Sequence, residues 1–458
     1  MERLLEINGI INEFVWGPPM LLLLVFTGVY FSIRTKFMSI TKLGYVLKNT
    51  LFKIFKKEQK GEGDITAFQA VSTALAATVG TGNIAGVATA ISIGGPGAIF
   101  WMWVSAIFGM TTKFAEVVLS IEFREKNAKG DFVGGPMYYI DKGLKNKKWL
   151  AYAFAGFGAL AAFGIGNMVQ SNSVADALNY SFGMPKIATG LILATLAAFV
   201  ILGGIKKIGI VTERLVPVMA AFYILGALFI VLSNISQVGE AFSLIFASAF
   251  SPASAVGGFA GSTVAMAMRR GISRGVFSNE AGLGSAPIAH AAATTDHPVR
   301  QGLWGIFEVF MDTIVICTLT ALSIMMSGVW SSGATGSALT TAAFDSAMPF
   351  GGVIVSIGIL LFAFSTILGW AYYGEKCIEF IAGPKSIFFY RLVYIPLIAV
   401  GAVGGLHTLW DLSDTLNGLM AIPNLIGLLL LSPIVFKRTK EFFNNEYLEE
   451  QEEQEEAV

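Results

Sequence analysis

The sequence predicts an all-α polytopic membrane protein of eleven transmembrane helices, ten of them in two inverted five-helix units that each open with a broken helix. Three observations carry that prediction. The chain of 458 residues is 54% hydrophobic and 14% charged, with a mean hydropathy of +0.67, whereas soluble domains carry about 25% charged residues. Its apolar residues gather in runs of the ~20 residues that cross a hydrocarbon core. Two of those runs are interrupted by glycine-rich polar stretches, "TVGTGNIAG" at 78–86 and "FSNEAGLGS" at 277–285.

The first span is 17–34. Glu2 and Glu6 precede it and no small-residue cleavage site follows at the right distance, so it reads as a retained helix and not a signal peptide. With the basic linker behind it, it forms an extra N-terminal unit, 1–60. The first five-helix unit, 61–234, holds spans 66–93, 97–123, 149–179, 185–203 and 208–232. A polar connector, 235–257, leads to the second unit, 258–436, with spans 258–294, 303–326, 351–375, 386–405 and 408–436. Segments 131–148 and 328–350 are amphipathic or polar and fall outside the membrane. The tail, 437–458, ends in "NNEYLEEQEEQEEAV", an acidic run that reads as a solvated, partly disordered cytoplasmic end.

Charge orients these spans. Most of the 31 lysines and arginines sit on alternate loops: 34–60, 124–148, Lys206 to Arg214, Arg300, Lys376 to Arg391, and Lys437 to Lys440. The positive-inside rule assigns these loops to the cytoplasm, which places the N-terminus outside and the C-terminus inside the cell membrane. Lys113 lies within a span three residues before Glu116, a spacing that predicts mutual neutralisation on one helix face. Cys317 and Cys377 fall on spans that do not neighbour each other in sequence; neither a disulfide framework nor a metal-ligand cluster is expected.

The two breaks repeat each other. In one constant register Gly80 aligns with Gly282, Gly82 with Gly284, Asn83 with Ser285 and Pro96 with Pro298. Five spans begin with each break, and an odd number per unit inverts the second copy across the membrane. One glycine pair at membrane depth would serve close helix packing alone. Two matched, polar-flanked breaks instead mark the midplane site of a secondary transporter. The register also places Arg269, Arg270 and Arg274 near the external end of the half-helix before the second break. A broken helix offers free N–H groups, carrying about half a positive charge, on one side of the gap and free carbonyls on the other. The first suit a carboxylate; the second, with nearby hydroxyls, suit a desolvated cation. Together they predict a Na⁺-driven amino acid as cargo.

Several stretches carry a family resemblance. "GTGNIAG", "GGPGAIFWMWVSAIFG" (94–109), "GGPMYYI" (134–140), "RGVFSNEAGLGSAP" (274–287) and "HPVRQG" (297–302) resemble the alanine or glycine:cation symporter family, also called the sodium:alanine symporters, over nearly the whole chain. The resemblance implies a leucine-transporter-like 5+5 fold, with span 17–34 and the acidic tail outside its ten-helix core. It implies Na⁺ as coupling ion (H⁺ in some relatives), no organic cofactor, and small substrates, alanine and glycine. It further implies that the backbone N–H groups of Thr81 and Gly82, in a break that includes Gly80 and Asn83, bind the substrate carboxylate. Thr78 and the carbonyl ends would serve the ammonium group, and Phe277 and Ser278 would line the pocket. Gln170 is either a donor to the carboxylate or an interhelical packing amide. The sodium site implied for the fold joins the carbonyls of Ala76 and Val79 to the hydroxyls of Ser365 and Thr366, although such hydroxyls also bond their own i−4 carbonyls. Trp370, one turn beyond Thr366, would close over the substrate and limit its side chain, or simply pack.

Intramembrane acids ask for a function of their own. Glu308 and Asp312 share one face of span 303–326. Asp312, placed to approach Asn83 and Ser278, would hold a second cation or a proton, or belong to a structural network; Glu280 raises the same question. His290 and His297 flank a proline-bearing turn and read as structural. No HExxH, GxSxG or phosphate-loop signature accompanies an enzyme reading, and the internal two-fold repeat disfavours a channel built by oligomeric symmetry. The expected partners are the bilayer and a small amino acid, with no nucleic acid and no required oligomer. A proton-coupled carrier of the same fold is the nearest alternative.

Overall fold

The structure, a computed structural model, describes residues 2–54, 61–251, 263–404 and 407–456. Part of the predicted linker 34–60, the end of the connector 235–257 and the start of span 258–294 lie outside the described residues. The extra N-terminal unit comprises α1 (Glu2–Val15), α2 (Pro18–Arg34), α3 (Met38–Thr41) and α4 (Leu43–Asn49). Then come α5 (Ala67–Thr78), α6 (Val87–Gly94), α7 (Gly97–Glu122), the hairpin β1 (Glu125–Lys126) and β2 (Phe132–Val133), α8 (Pro136–Gly143), α9 (Lys148–Phe163), α10 (Val169–Phe182), α11 (Lys186–Ile201), α12 (Gly204–Ser233) and α13 (Val238–Phe250). The second half holds α14 (Val264–Asn279), α15 (Pro287–His290), α16 (Pro298–Val309), α17 (Thr318–Met326), α18 (Gly336–Ala347), α19 (Gly351–Ala382), α20 (Ser386–Val403) and α21 (His407–Glu456).

Among the described residues, eight helices are long and apolar enough to cross a membrane; the pair Ala67–Thr78 and Gly82–Gly94, bent by 50°, makes a ninth. Two of the eleven predicted spans fall short on those grounds. Span 185–203 is realised as the shorter apolar helix Lys186–Ile201. In span 258–294, α14 carries three arginines and stops at Asn279. The tail differs as well: α21 continues as helix to Glu456, because its Glu- and Gln-rich sequence is composed of good helix formers.

Two groups of helices pack together. In one, α7 lies against α14 and α16, α6 against α14, and α5 against α15 and α16; in the other, α19 contacts α9, α10 and α20, and α11 contacts α20. Small residues set the spacing. A Cβ on Gly271 would fall 2.2 Å from the Ala98 carbonyl oxygen, and one on Gly302 would fall 2.8 Å from the Phe114 ring. Where the groups meet, α5 crosses α19, and a Cβ on Gly369 would lie 2.7 Å from the Ala77 methyl and 3.0 Å from its backbone nitrogen.

The two ends of the molecule differ. At one, Arg438 grips the Glu122 carboxylate at 2.9 and 2.7 Å and Arg34 lies over the Phe436 ring. At the same end the segment before α5 pairs with the segment after α15, through bridges Glu62–Thr295 and Ile65–Ala293. Arg124 fastens that pairing by donating to the carbonyls of Ala291 (3.1 Å), Ala293 (2.6 Å) and Glu62 (2.8 Å). The opposite end carries the starts of α7, α14 and α21 and the turn between α1 and α2. The close crossing of α5 and α19 generates a prediction. Gly369→Val forces an apolar side chain into a filled contact and is expected to cost about 1–3 kcal/mol. A thermal melt of the purified protein in detergent checks it, and an unchanged Tm would show that the crossing yields freely.

Candidate functional site

The first break forms where α5 ends. Val79 takes an extended conformation (φ −75°, ψ 92°) and the chain re-enters helix through a wide π-turn, Gly82–Gly86. Asn83 folds its side chain back over the gap: Oδ1 accepts the Gly80 N–H at 2.9 Å, while Nδ2 donates to Asp312 Oδ1 at 2.6 Å. The N–H groups of Thr81 and Gly82 begin the new half-helix, where no carbonyl four residues back stands in helical register. Thr78 is buried and its hydroxyl donates to the Ala74 carbonyl (3.2 Å).

The second break forms where α14 ends. Glu280 is left-handed at φ 55°, followed by Gly282 at φ +92° and Gly284 at φ +83°; a non-glycine residue in that region marks a backbone held by its surroundings. Glu280 is held through its carboxylate, which accepts from the Ser285 hydroxyl and from Trp370 Nε1 at 2.9 Å. Asn424 of α21 caps the freed Gly282 carbonyl at 2.9 Å.

The two breaks touch. A Cβ on Gly82 would stand 3.3 Å from Ser278 Cα and 3.4 Å from the Phe277 ring. Asp312 spans both, accepting from Asn83 on one and from the Ser278 hydroxyl (2.9 Å) on the other, with Thr313 donating at 2.7 Å. On the far side, a Cβ on Gly80 would fall 2.7 Å from Thr366 Oγ1 and 3.6 Å from Gln170 Oε1. A side chain at Gly80 would collide with Thr366, and at Gly82 the space is tight, because side chains from three other elements converge there.

Ser365 on α19 donates to Phe362 O at 2.8 Å and stands 3.1 Å from Ala76 O; Thr366 donates to its own i−4 carbonyl, Phe362 O, at 2.9 Å. Ala76, Ser365 and Thr366 thus come together, with Val79 following Ala76 by less than one turn. Gln170 also reaches the first break. Its Nε2 is engaged by Ile165 O at 2.9 Å, and the buried atom without a hydrogen-bond partner is the acceptor, Oε1. Trp370 is buried, its indole N–H is committed to Glu280, and its Cβ would lie 2.2 Å from a Cβ on Gly166.

Beside the breaks lies a buried polar network. Lys113 pairs with Glu308 at 3.2 Å, both side chains fully buried. The expected pairing with Glu116 is not made: Glu116 accepts instead from Asn424 Nδ2 at 2.6 Å, whose Oδ1 accepts from the Tyr139 hydroxyl. Gly305 explains the difference: a Cβ there would fall 3.1 Å from Lys113 Cγ, so the absent side chain lets α16 pack close enough to bring Glu308 to the ammonium group. Gln301 Nε2 lies 2.8 Å from His290 Nδ1, and His290 Nε2 lies 3.2 Å from Glu308 Oε2. His297 sits apart and accepts the Val299 N–H as a helix cap. Sequence reading missed Asn424, Tyr139 and Gln301, although an asparagine within the apolar run "AIPNLIGLLLL" is itself a signal of intramembrane work. Removing one partner of a buried ion pair strands the other, at about 3–5 kcal/mol. Lys113→Met is therefore expected to lower Tm sharply and Lys113→Met/Glu308→Leu to recover most of the loss; a double variant no better than the single would dissolve the pairing.

This geometry has relatives. The chain matches the sodium:alanine symporter family over residues 1–457. It is 54% identical over 439 residues to the sodium/alanine symporter AgcS of Methanococcus maripaludis, covering 94% of this chain and 96% of that one. It is 42% identical to the probable sodium/glutamine symporter GlnT of Bacillus subtilis, covering 96% and 91% of the two chains. Among solved structures it resembles MhsT in complex with L-phenylalanine (TM-score 0.58, 14% identity, 81% of this chain and 89% of that one). It also resembles a Na⁺-coupled sialic acid symporter in a substrate-bound outward-open state (TM-score 0.53, 14% identity, 86% and 82%). At such low identity these likenesses show the fold alone, that of the leucine-transporter-like carriers. The match along almost the whole length settles the family: this chain is a membrane transporter of the sodium:alanine symporter family and not an enzyme.

Proposed function

We propose that the chain couples inward movement of Na⁺ to symport of a small amino acid, alanine or glycine, by alternating access. The observation that carries this reading is the meeting of the two broken helices at Gly82, beside an α19 that sets Ser365 against the Ala76 carbonyl. The free N–H groups of Thr81 and Gly82 take the substrate carboxylate. Gln170 Oε1, an unsatisfied buried acceptor next to Gly80, takes the ammonium group in company with Thr78. Phe277, Ser278 and Thr366 line the remaining space, and Trp370, pinned by Glu280, limits the side chain.

Na⁺ lies among the carbonyls of Ala76 and Val79 and the hydroxyls of Ser365 and Thr366. The hydroxyl bonds to Phe362 use the protons of Ser365 and Thr366 and leave oxygen lone pairs for a cation. Asp312, bonded to both breaks through Asn83 and Ser278, gives the runner-up reading its basis: a second cation or a coupling proton at that carboxylate. The resemblance to AgcS supports Na⁺ and alanine, and the resemblance to GlnT supports Na⁺. The cluster of basic residues at the Arg124 end supports a cytoplasmic C-terminus, and the eleven-span inverted repeat follows if α11 and the α14–α15 pair also cross.

Equilibrium binding of labelled alanine and glycine to the purified chain, in Na⁺, in K⁺ and at two pH values, tests the reading. Binding that needs Na⁺ and ignores pH is expected. Binding that follows pH and ignores Na⁺ transfers coupling to Asp312, Glu280 or Glu308. Thr366→Ala is expected to raise the half-saturating Na⁺ concentration about tenfold, equivalent to ~1.4 kcal/mol. A Na⁺ dependence identical to that of the unaltered chain would remove Thr366 from the ion site.

A further inference from the structure

The membrane-spanning stretch that contains α2 ends at Arg34, and the chain then turns sharply. Lys36 and Phe37 are both left-handed, at φ 56° and φ 55°, a conformation that non-glycine residues keep only where their surroundings hold them. Here the Phe37 N–H donates to Ser32 O at 2.6 Å. The turn lays α3 on α7 and α4 on α16, with Met38, Val46 and Thr50 buried. The rest of the elbow is open. Phe37, Ile40, Leu51 and Phe52 are exposed, Phe52 by 71%, although all four lie beyond the end of the span.

The charge of this elbow is one-sided. From Arg34 to Lys57 the sequence carries seven basic residues and no acidic one. Elsewhere at this end of the molecule lysines meet acids: Lys126 pairs with Glu62 at 3.0 Å, Lys142 with Glu125 at 2.7 Å and Lys376 with Glu379 at 2.7 Å. Among the described residues, Arg34, Lys36, Lys42 and Lys48 make no ion pair, and all four are exposed. Two of them are steadied by α21, where Arg34 lies over the Phe436 ring at 5.0 Å and Lys42 over the Phe443 ring at 4.3 Å. A ring takes up one side of a cation and leaves N–H donors for an oxygen anion. The positive-inside rule accounts for the sign of these charges, but not for the missing acids or for the exposed apolar side chains among them. Unopposed cations interleaved with an open apolar face, directly after a span, fit the interface of an anionic bilayer. There acyl chains cover the rings and phosphodiesters meet the ammonium groups.

We infer that the elbow between α2 and α4 docks on anionic phospholipid, with Phe37, Ile40 and Phe52 immersed and Arg34, Lys36, Lys42 and Lys48 against the headgroup phosphodiesters. Because α3 and α4 rest on α7 and α16, this contact ties the helix group that carries Lys113 and Glu308 to one leaflet. The inference needs only that the chain spans a bilayer, and it stands whatever the cargo.

Nanodiscs of equal phosphatidylglycerol and phosphatidylcholine, matched in acyl chains, test it when the chain is released for native mass spectrometry and its retained lipids are counted. The unaltered chain is expected to retain phosphatidylglycerol in about fivefold excess or more. Lys36→Gln/Lys42→Gln/Lys48→Gln is expected to abolish the excess, and Lys36→Arg/Lys42→Arg/Lys48→Arg to keep it. Lys126→Gln/Lys129→Gln/Lys142→Gln, which removes the same charge from the loop 124–148, is expected to leave the excess intact. Equal retention of the two lipids by the unaltered chain, or the same loss in both glutamine variants, overturns the inference. Displacement of the phosphatidylglycerol by excess inorganic phosphate overturns it too, since that marks a site for a free anion. Phe37→Ser/Phe52→Ser is expected to lower the excess with every lysine in place; an undiminished excess there overturns the immersion of the apolar face.

Discussion

Hydrocarbon offers no hydrogen bond, and a helix interrupted at membrane depth must find partners for its freed N–H and C=O groups inside the protein. Each unsatisfied buried group costs about 1–3 kcal/mol, so two breaks left bare would endanger the fold. Much of the surrounding sequence answers that constraint. Asn83 turns its amide onto Gly80, Asn279 accepts from Ala281, Asn424 reaches Gly282, and Asp312 ties Asn83 to Ser278. What these residues leave unfilled is then informative. Gln170 Oε1 faces Gly80 without a partner, and the first N–H groups after the break have no helical acceptor. In the proposed reading a bound amino acid completes this acceptor and these donors together.

The buried charges belong to a different task. Lys113, Glu308, His290 and Gln301 link α7, α15 and α16 within one helix group, and Asn424 adds α21. Buried ion pairs contribute little net stability but are severe about geometry, because a misplaced partner leaves a bare charge. That severity holds this group together as a body. Where α5 and the second break meet α19, the contacts are of another kind: the Ala77–Gly369 crossing, the Ser365–Ala76 contact and the Trp370–Glu280 hydrogen bond. Two of the three lie at the proposed ion and substrate sites. Elsewhere the groups are joined by helix packing, α21 along α9 and α12 against both α5 and α19.

Legibility in the sequence followed the range of the forces involved. The breaks were readable because glycine and polar residues in an apolar run act locally, and so was the approach of Asp312 to Asn83 and Ser278. Ser365 against Ala76 came from family resemblance and not from spacing. Lys113 was misassigned because an i,i+3 neighbour is visible in one dimension, whereas Glu308 arrives only through the close packing that Gly305 permits. For Gln170 the sequence leaves a carboxylate donor and a packing amide open, because the π-turn that presents Ile165 O to its Nε2 has no plain sequence mark. The second break, too, was legible: α14 ends at Asn279 and Glu280 turns left-handed inside the stretch 277–285. The acidic tail was read by charge alone, while its helix propensity decided the backbone.

Coupling on this architecture needs no long relay. Ala76 and Gly82 lie on the two sides of one break, so a cation held by the Ala76 and Val79 carbonyls stands near a carboxylate held by the Thr81 and Gly82 N–H groups. At a separation of ~6 Å and an effective dielectric of ~20, their attraction is about 3 kcal/mol, on the order of a hundredfold in affinity. Linkage makes that factor the same in both directions: whatever Na⁺ contributes to amino-acid binding, the amino acid contributes to Na⁺ binding. In the proposed site the cation also bridges α5 to α19 through Ser365, which stands 3.1 Å from the Ala76 carbonyl. On that reading one ion position serves both the electrostatic coupling and the contact between the two helices. The glycines that open the break are what make that position available.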